Sequence, residues 1–159
     1  TDLLRNFWRR GRNAVERGRT EPPFAVALPE EQRDRMREHT SLGACLLEGA
    51  ENSVLQMAEN IALNHHERWD GSGYPDGLAG EGIPLSARLM ALADVYDALI
   101  SKRVYKPAFS HEAAMEIIEE GRGRHFDPDL VDAFIAVQSD CHRIAQQFAN
   151  TDEELAKRP

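Results

Sequence analysis

The side chains that could do chemistry gather in the middle of the sequence, with one more histidine ahead of them. They are His39, His65, His66, Asp94, Asp97, Arg103 and Lys106. Mixed imidazole and carboxylate ligands suit iron, manganese or zinc rather than a thiolate site. Arginine and lysine form charge-assisted hydrogen bonds with phosphate. The combination predicts a site that holds metal ions and a phosphodiester together.

The adjacent histidines His65 and His66 end an apolar segment with helical spacing. Neighbouring residues of a helix point about 100° apart. The pair would therefore serve two metal ions more naturally than one, or else lie at a frayed helix end. Two metals roughly 3.5–4 Å apart are a common device for phosphodiester hydrolysis.

Asp94 is the most informative acid of the chain. Its predicted helix begins at Pro84 and has a main apolar stripe of Leu85, Leu89, Leu92, Tyr96 and Leu99. On a helical projection Asp94 falls on the opposite face, among small alanines. Apolar or small residues thus surround the helix, which predicts a buried position. A buried carboxylate costs several kcal/mol unless it is paired or metal-bound.

Each of these residues also has a plainer interpretation. His39 could be a hydrogen-bonded core histidine, and His65-His66 could be an ordinary helix terminus, which the helix dipole favours. Asp97 could bind a neighbouring backbone group, and Arg103 and Lys106 could be a solvated cluster. The glycines of the loop 70–82 could simply make turns.

Six segments have helical periodicity and none alternates as a strand would, so the fold class is predicted to be all-α. The segments are Leu3–Trp8, Pro29–Leu47, Glu51–His66, Pro84–Leu99, Ser110–Gly121 and Asp127–Phe148. Residues 1–28 are interpreted as a basic helical or linker segment, 29–150 as the domain and 151–159 as a polar tail.

Composition indicates one globular domain in 159 residues, with 42% hydrophobic and 29% charged residues. The net charge of −8 argues against DNA binding. Cys45 and Cys141 stand far apart, which predicts free thiols in a reducing cytoplasm. No apolar run is long enough to cross a membrane.

A long signature in the middle of the sequence resembles that of a known protein family. H-H-E-R-W-D-G-S-G-Y-P-D-G-L-x-G-x-x-I-P, then A-D-V-Y-D-A-L, R-x-Y-K and F-D-P, closely resembles the HD-GYP family of bacterial cyclic di-GMP phosphodiesterases. The resemblance runs from about Pro29 to Phe148. It implies an HD-superfamily helical bundle with two or three divalent metal ions, iron or manganese foremost and zinc as another option.

The resemblance also implies roles for single residues. The implied metal ligands are His39, His65, His66 and Asp94, and the implied substrate contacts are Tyr74, Asp97, Arg103 and Lys106. The loop Gly73-Tyr74-Pro75 is implicated in contacts with diguanylate cyclase (GGDEF) domains. An upstream receiver or sensor domain and a homodimer are further expectations.

The sequence departs from the family at one point. It has no His-Asp dipeptide, and no histidine precedes His39. Either the domain is degenerate at its N-terminal side or a stretch that the family carries is missing between Arg10 and Pro29; in the second case we expect a chain break there or a partner over the ligand face. Three hypotheses follow: an enzyme, a cyclic di-GMP or GGDEF binding module without turnover, and a helical scaffold.

Overall fold

The computed structural model describes residues 30–101 and 108–156, and within them the protein is helical. The helices are α1 (Glu30–Cys45), α2 (Ser53–Asn64), α3 (Leu85–Ile100), α4 (His111–Glu120) and α5 (Pro128–Ala156), with a short 3₁₀ turn at Gly80–Gly82. No strand occurs in the described ranges, where a single bridge joins Arg122 and Phe126. The all-α prediction is confirmed.

Helix starts follow local side-chain chemistry. Asn52 accepts a hydrogen bond from the Val54 N–H at 2.8 Å and begins α2. Ser110 accepts one from Ala113 N–H at 3.2 Å and begins α4. Asp127 accepts one from Asp129 N–H at 2.9 Å and begins α5. Each cap satisfies an amide that the first helical turn leaves without a partner, which is why the sequence predicted these starts correctly.

The core lies among α3, α4 and α5. Its buried members are Leu92, Tyr96, Leu99, Ala114, Met115, Ile118, Phe126 and Val131. The Tyr96 hydroxyl reaches His111 Nδ1 at 2.9 Å, so this phenol is buried with a partner. The core fixes the C-terminal part of α3, the helix that also carries Asp94 and Asp97.

A buried ion pair ties the start of α3 to the start of α5. Arg88 Nη1 donates to Asp127 Oδ2 at 2.6 Å, and the two side chains are 17% and 5% exposed. The Arg88 guanidinium also lies over the Trp69 ring, 5.7 Å from its centroid. The loop after α2, the start of α3 and the cap of α5 are therefore held at one place.

The sequence prediction for the buried face of α1 was wrong. The helical spacing of Met36, Leu42 and Leu46 in the sequence predicts a stripe that points to the core, but all three are exposed. The small residues Thr40 and Ala44 are buried instead. A Cβ built on Gly43 would lie 3.4 Å from the Ala62 Cβ, so small side chains let α1 approach α2 closely.

The prediction of a fully surrounded α3 was also wrong. Ala87, Ala91, Leu92, Tyr96 and Leu99 are buried, but Leu85 and Leu89 are exposed, and so is Asp94. The buried arc lies between the two predicted faces, and among the described residues α2, α4 and α5 are the helices that pack against α3.

Domain limits remain predictions. A boundary between two compact units falls within α1, between His39 and Thr40, and the second unit contains the core. Helix α5 continues through Ala156, into the segment interpreted as a tail. The predicted helix at Leu3–Trp8 and the expected break between Arg10 and Pro29 lie outside the described residues. Among the described residues, none of the helices is both long and apolar enough to span a membrane.

Candidate metal centre

The histidine pair lies where α2 ends. Asn64 is the last helical residue and is buried, and its side-chain amide donates to Asn60 O at 3.0 Å. His65 caps the helix, and its backbone N–H still bonds Ile61 O at 3.0 Å. The first imidazole is therefore fixed by the helix and the second begins the loop.

Hydrogen bonds assign the His65 tautomer. Its Nδ1 lies 2.9 Å from Ile61 O and 3.0 Å from Ala62 O. A carbonyl oxygen only accepts, so Nδ1 carries a proton, and in this tautomer of the neutral ring the lone pair lies on Nε2. His39 Nδ1 donates in the same way to Met36 O. Histidines that bind metals usually donate their other ring N–H to such a partner, so both rings suit coordination through Nε2.

Three histidines come together. His39, His65 and His66 each offer one ring nitrogen, and these atoms all lie within 4.8 Å of one another. His39 reaches this position from α1, one turn before Gly43, on the helix that approaches Ala62 so closely. Nitrogens bound to one ion at about 2.0–2.1 Å must lie within roughly 4.2 Å of each other, so a small adjustment would suffice. The donor set fits a borderline divalent metal.

In the part of the chain that it describes, the structure does not bring the other predicted site residues into the histidine group. Asp94 and Asp97 are exposed on α3, which packs against α2, and neither joins the three-histidine group. Asp97 Oδ1 accepts from Ser101 Oγ at 3.2 Å, a local contact with a side chain, whereas the plainer interpretation named a backbone group. Arg103 and Lys106 lie outside the described residues. The roles of all four stay predictions.

The loop brings Tyr74 to the histidines. The Tyr74 and His66 rings stack with centroids 4.8 Å apart, and Tyr74 N–H donates to His66 O at 3.3 Å. Gly73 makes this approach feasible, because a Cβ there would lie 2.4 Å from Arg68 N and 2.5 Å from Glu67 Cα. The tyrosine of the signature is therefore a wall of the histidine site.

Glu67 is the residue that sequence reasoning missed. It follows His66 directly and is only 2% exposed. Its Oε1 accepts from Asp76 N–H at 2.7 Å and from Gly77 N–H at 3.0 Å. Its place between the histidine pair and the glycine-rich loop was the available signal. Spacing alone did not show that a carboxylate would be buried beneath that loop.

The far side of the loop rests on residues 124 and 125. Trp69 N–H donates to His125 O at 3.2 Å, and Asp70 N–H donates to Arg124 O at 2.9 Å. The His125 ring stacks on Phe126, with centroids 4.3 Å apart. Burial, and after it the positive charge of Arg68, lowers the pKa of His125 from 6.5 to about 3. This histidine is neutral in the folded protein at ordinary pH.

Acid should therefore destabilise the fold through His125. The contribution is complete above pH 6.5, the unfolded value, and is lost progressively as the pH falls toward about 3. Within that window we expect the unfolding free energy to fall by up to about 1.4 kcal/mol per pH unit from this residue. Urea unfolding of wild type and His125→Gln between these limits tests it. Parallel curves for the two proteins would contradict the assignment, since the carboxylates titrate equally in both.

Comparison with known proteins gives the family. A family model described as "HD domain" matches residues 25–130. A "Cyclic di-GMP phosphodiesterase" of Vibrio cholerae is 58% identical over 126 residues, which are 76% of this chain and 26% of that protein. The "Cyclic di-GMP phosphodiesterase response regulator RpfG" of Xanthomonas campestris is 48% identical over 122 residues, 77% of this chain and 32% of that protein.

A third relative carries a different substrate in its name. The "3'3'-cGAMP-specific phosphodiesterase 2" of Vibrio cholerae is 43% identical over 111 residues, 65% of this chain and 21% of that protein. This chain thus spans a third or less of the length of these three relatives. The family model nevertheless covers well over half of the chain. Together with the signature from His65 to Pro84, this match means that the chain belongs to the HD domain family, in its HD-GYP group.

Proposed function

We propose that this chain is the catalytic part of a metal-dependent phosphodiesterase that hydrolyses cyclic di-GMP. The observation that carries the proposal is the convergence of His39, His65 and His66, whose ring nitrogens lie within 4.8 Å of one another. The names of the relatives supply the substrate. The stacked Tyr74 ring at 4.8 Å from His66 gives the site an aromatic wall suited to a nucleobase or ribose.

Two or three divalent ions, iron or manganese before zinc, belong to the proposal. His39, His65, His66 and Asp94 would hold them. Such ions supply Lewis-acid stabilisation of the phosphate charge and make coordinated water acidic. The chain's own contribution is to place a proton of His65 on Nδ1, through the bonds to Ile61 O at 2.9 Å and Ala62 O at 3.0 Å, so that in the neutral ring Nε2 offers the lone pair to a metal.

Tyr74, Asp97, Arg103 and Lys106 would bind the substrate, with the two cations on phosphate. The same proposal places the protein in the bacterial cytoplasm, downstream of a receiver or sensor domain. It includes a homodimer and a GGDEF partner at the Gly73-Tyr74-Pro75 loop. These assignments rest on the resemblance and on the name of one relative, a response regulator.

The test combines metal analysis with turnover. Protein purified without chelator should contain iron or manganese and convert cyclic di-GMP to pGpG or GMP, faster than it converts 3′3′-cGAMP. Removal of the metal by chelation should abolish the activity, and adding Mn²⁺ should restore it. Metal-loaded protein that leaves cyclic di-GMP intact would refute the proposal. Faster turnover of 3′3′-cGAMP than of cyclic di-GMP would mean that the substrate named in the proposal is wrong and that 3′3′-cGAMP replaces it.

A second candidate function is a binding module that holds cyclic di-GMP or a GGDEF domain without turnover. The absence of a His-Asp dipeptide from the sequence favours it, because the resemblance assigns to that pair the aspartate that bridges two metals. Calorimetry distinguishes the two functions. Binding of cyclic di-GMP with no product after prolonged incubation with Mn²⁺ would support the module.

Replacing Arg103 and Lys106 together with alanine should weaken cyclic di-GMP binding at least about tenfold. Each charge-assisted bond to phosphate contributes roughly 1.5–3 kcal/mol, and about 1.4 kcal/mol corresponds to a factor of ten. Titration calorimetry measures the change. Arg143→Ala, which removes an exposed cation of α5, is the matched control and should bind like wild type. Equal affinity of the double variant would show that the two cations are solvated surface.

A further inference from the structure

The carboxylate of Glu67 closes the loop that carries Tyr74. One oxygen, Oε1, accepts both the Asp76 N–H at 2.7 Å and the Gly77 N–H at 3.0 Å. These amides follow directly after the Gly73-Tyr74-Pro75 segment. A single side chain thus joins the residue after the histidine pair to the far end of the loop, nine and ten residues later.

The near end of the loop is held by backbone. Tyr74 N–H donates to His66 O at 3.3 Å. The chain at Gly73 lies so close to Glu67 and Arg68 that a Cβ there would be 2.4–2.7 Å from their backbone atoms. With both ends fixed, Tyr74 has little freedom to leave the His66 ring, on which it stacks at 4.8 Å.

A buried glutamate needs a reason, because burying a carboxylate is costly unless hydrogen bonds compensate. Glu67 is 2% exposed, and its two amide bonds are the compensation that the structure provides. Within the described residues Oε2 has no hydrogen-bond partner. The contact therefore depends on one acceptor oxygen, which glutamine also possesses.

We propose that Glu67 is a positioning residue: it fixes the loop 73–77 and through it holds Tyr74 against His66. It touches neither substrate nor metal in this role. The consequence for substrate rests on the proposed function, since Tyr74 then forms the wall against which cyclic di-GMP binds. The consequence for the loop does not rest on it.

Hydrogen exchange in the full protein, measured by NMR without substrate, tests the loop. The Asp76 and Gly77 amides should be protected in wild type and exchange at least about tenfold faster in Glu67→Ala. Amides of the core, such as those of Ile118 and Val131, should keep their protection. Glu67→Gln should retain slow exchange at both loop positions, because its Oε1 still accepts. Glu81→Ala, which removes an exposed acid of the same loop, is the matched control and should change nothing.

Kinetics test the consequence for substrate. In Glu67→Ala the KM for cyclic di-GMP should rise about tenfold or more while kcat changes less and the metal content stays at the wild-type value, and Glu67→Gln should restore KM. A residue needed only for folding would instead lower the amount of folded, metal-loaded protein without changing KM.

The outcomes separate this inference from the proposed function. Unprotected Asp76 and Gly77 amides in wild type, or fast exchange in Glu67→Gln, would overturn the role of Glu67 even if Glu67→Ala fails to fold. Protected amides with the expected variant pattern support it even if wild type hydrolyses no cyclic di-GMP, in which case only the proposed function fails. If the loop amides exchange fast in Glu67→Ala but KM is unchanged, the claim that Glu67 affects substrate binding through Tyr74 would be wrong.

Discussion

Asp127→Ala is expected to lower the free energy of unfolding by about 3–5 kcal/mol, because removing one partner of a buried ion pair leaves the other charge without compensation. Asp127 is 5% exposed and receives Arg88 Nη1 at 2.6 Å. The substitution also removes the acceptor of the Asp129 N–H that caps α5. Urea unfolding followed by circular dichroism measures the change.

The chain offers a matched control for burial. Arg122 and Asp132 also form an Arg–Asp pair at 2.6 Å, but their side chains are 48% and 55% exposed. Asp132→Ala should cost far less than Asp127→Ala, because water screens an exposed pair. The loss of stability in Asp127→Asn should lie between those of Asp132→Ala and Asp127→Ala, because asparagine keeps an acceptor for the helix cap but not the charge. Similar losses for Asp127→Ala and Asp132→Ala would show that burial of the first pair contributes nothing.

Local chemistry explains why the sequence predicted the helix starts. The caps Asn52, Ser110 and Asp127 each act on an amide two or three residues later, so no distant contact is needed to recognise them. The family signature is similarly local, and it singled out the histidine pair and Tyr74, whose ring stacks on His66 in the structure. The all-α class followed from periodicity alone.

Burial depends on partners that a periodic pattern cannot name. The apolar stripe of α1 was assigned to the core, yet Met36 is exposed and Thr40 is buried. Asp94 was expected to be buried because its helix is apolar nearly all round, yet the described neighbours of α3 cover one side. Tertiary packing determines which face of α1 and of α3 is buried, whereas the amphipathic pattern indicates only which faces are candidates.

The loop 70–82 shows a third limit of what the sequence can predict. Five glycines between residues 71 and 82 predicted turns, and turns are present. Nothing in the sequence indicated that Gly73 lies too close to the backbone of Glu67 for a Cβ to fit, or that Glu67 accepts hydrogen bonds from two amides of the loop. These contacts join residues six to ten apart without regular structure, where no periodicity carries information.

His66→Ala is expected to remove most of the bound metal and to lower turnover of cyclic di-GMP at least about 100-fold. Loss of a residue that only hydrogen-bonds to a metal ligand already costs about 10–100-fold in metal affinity or activity. His66 is proposed to bind the metal directly, so its loss should cost more. Its ring is one of three whose nitrogens lie within 4.8 Å of one another. The substitution also removes the surface on which Tyr74 stacks.

Elemental analysis and initial rates on the same preparations measure both effects. His142→Gln, a histidine of α5 outside the three-histidine group, is the control and should keep metal and rate. Circular dichroism should show equal helix content in all three proteins, because α2 ends before His66. Metal and rate within threefold of wild type would place the metal elsewhere. If wild type binds metal but never turns over, loss of metal from His66→Ala still locates the ion at the histidines, and the binding module becomes the better function.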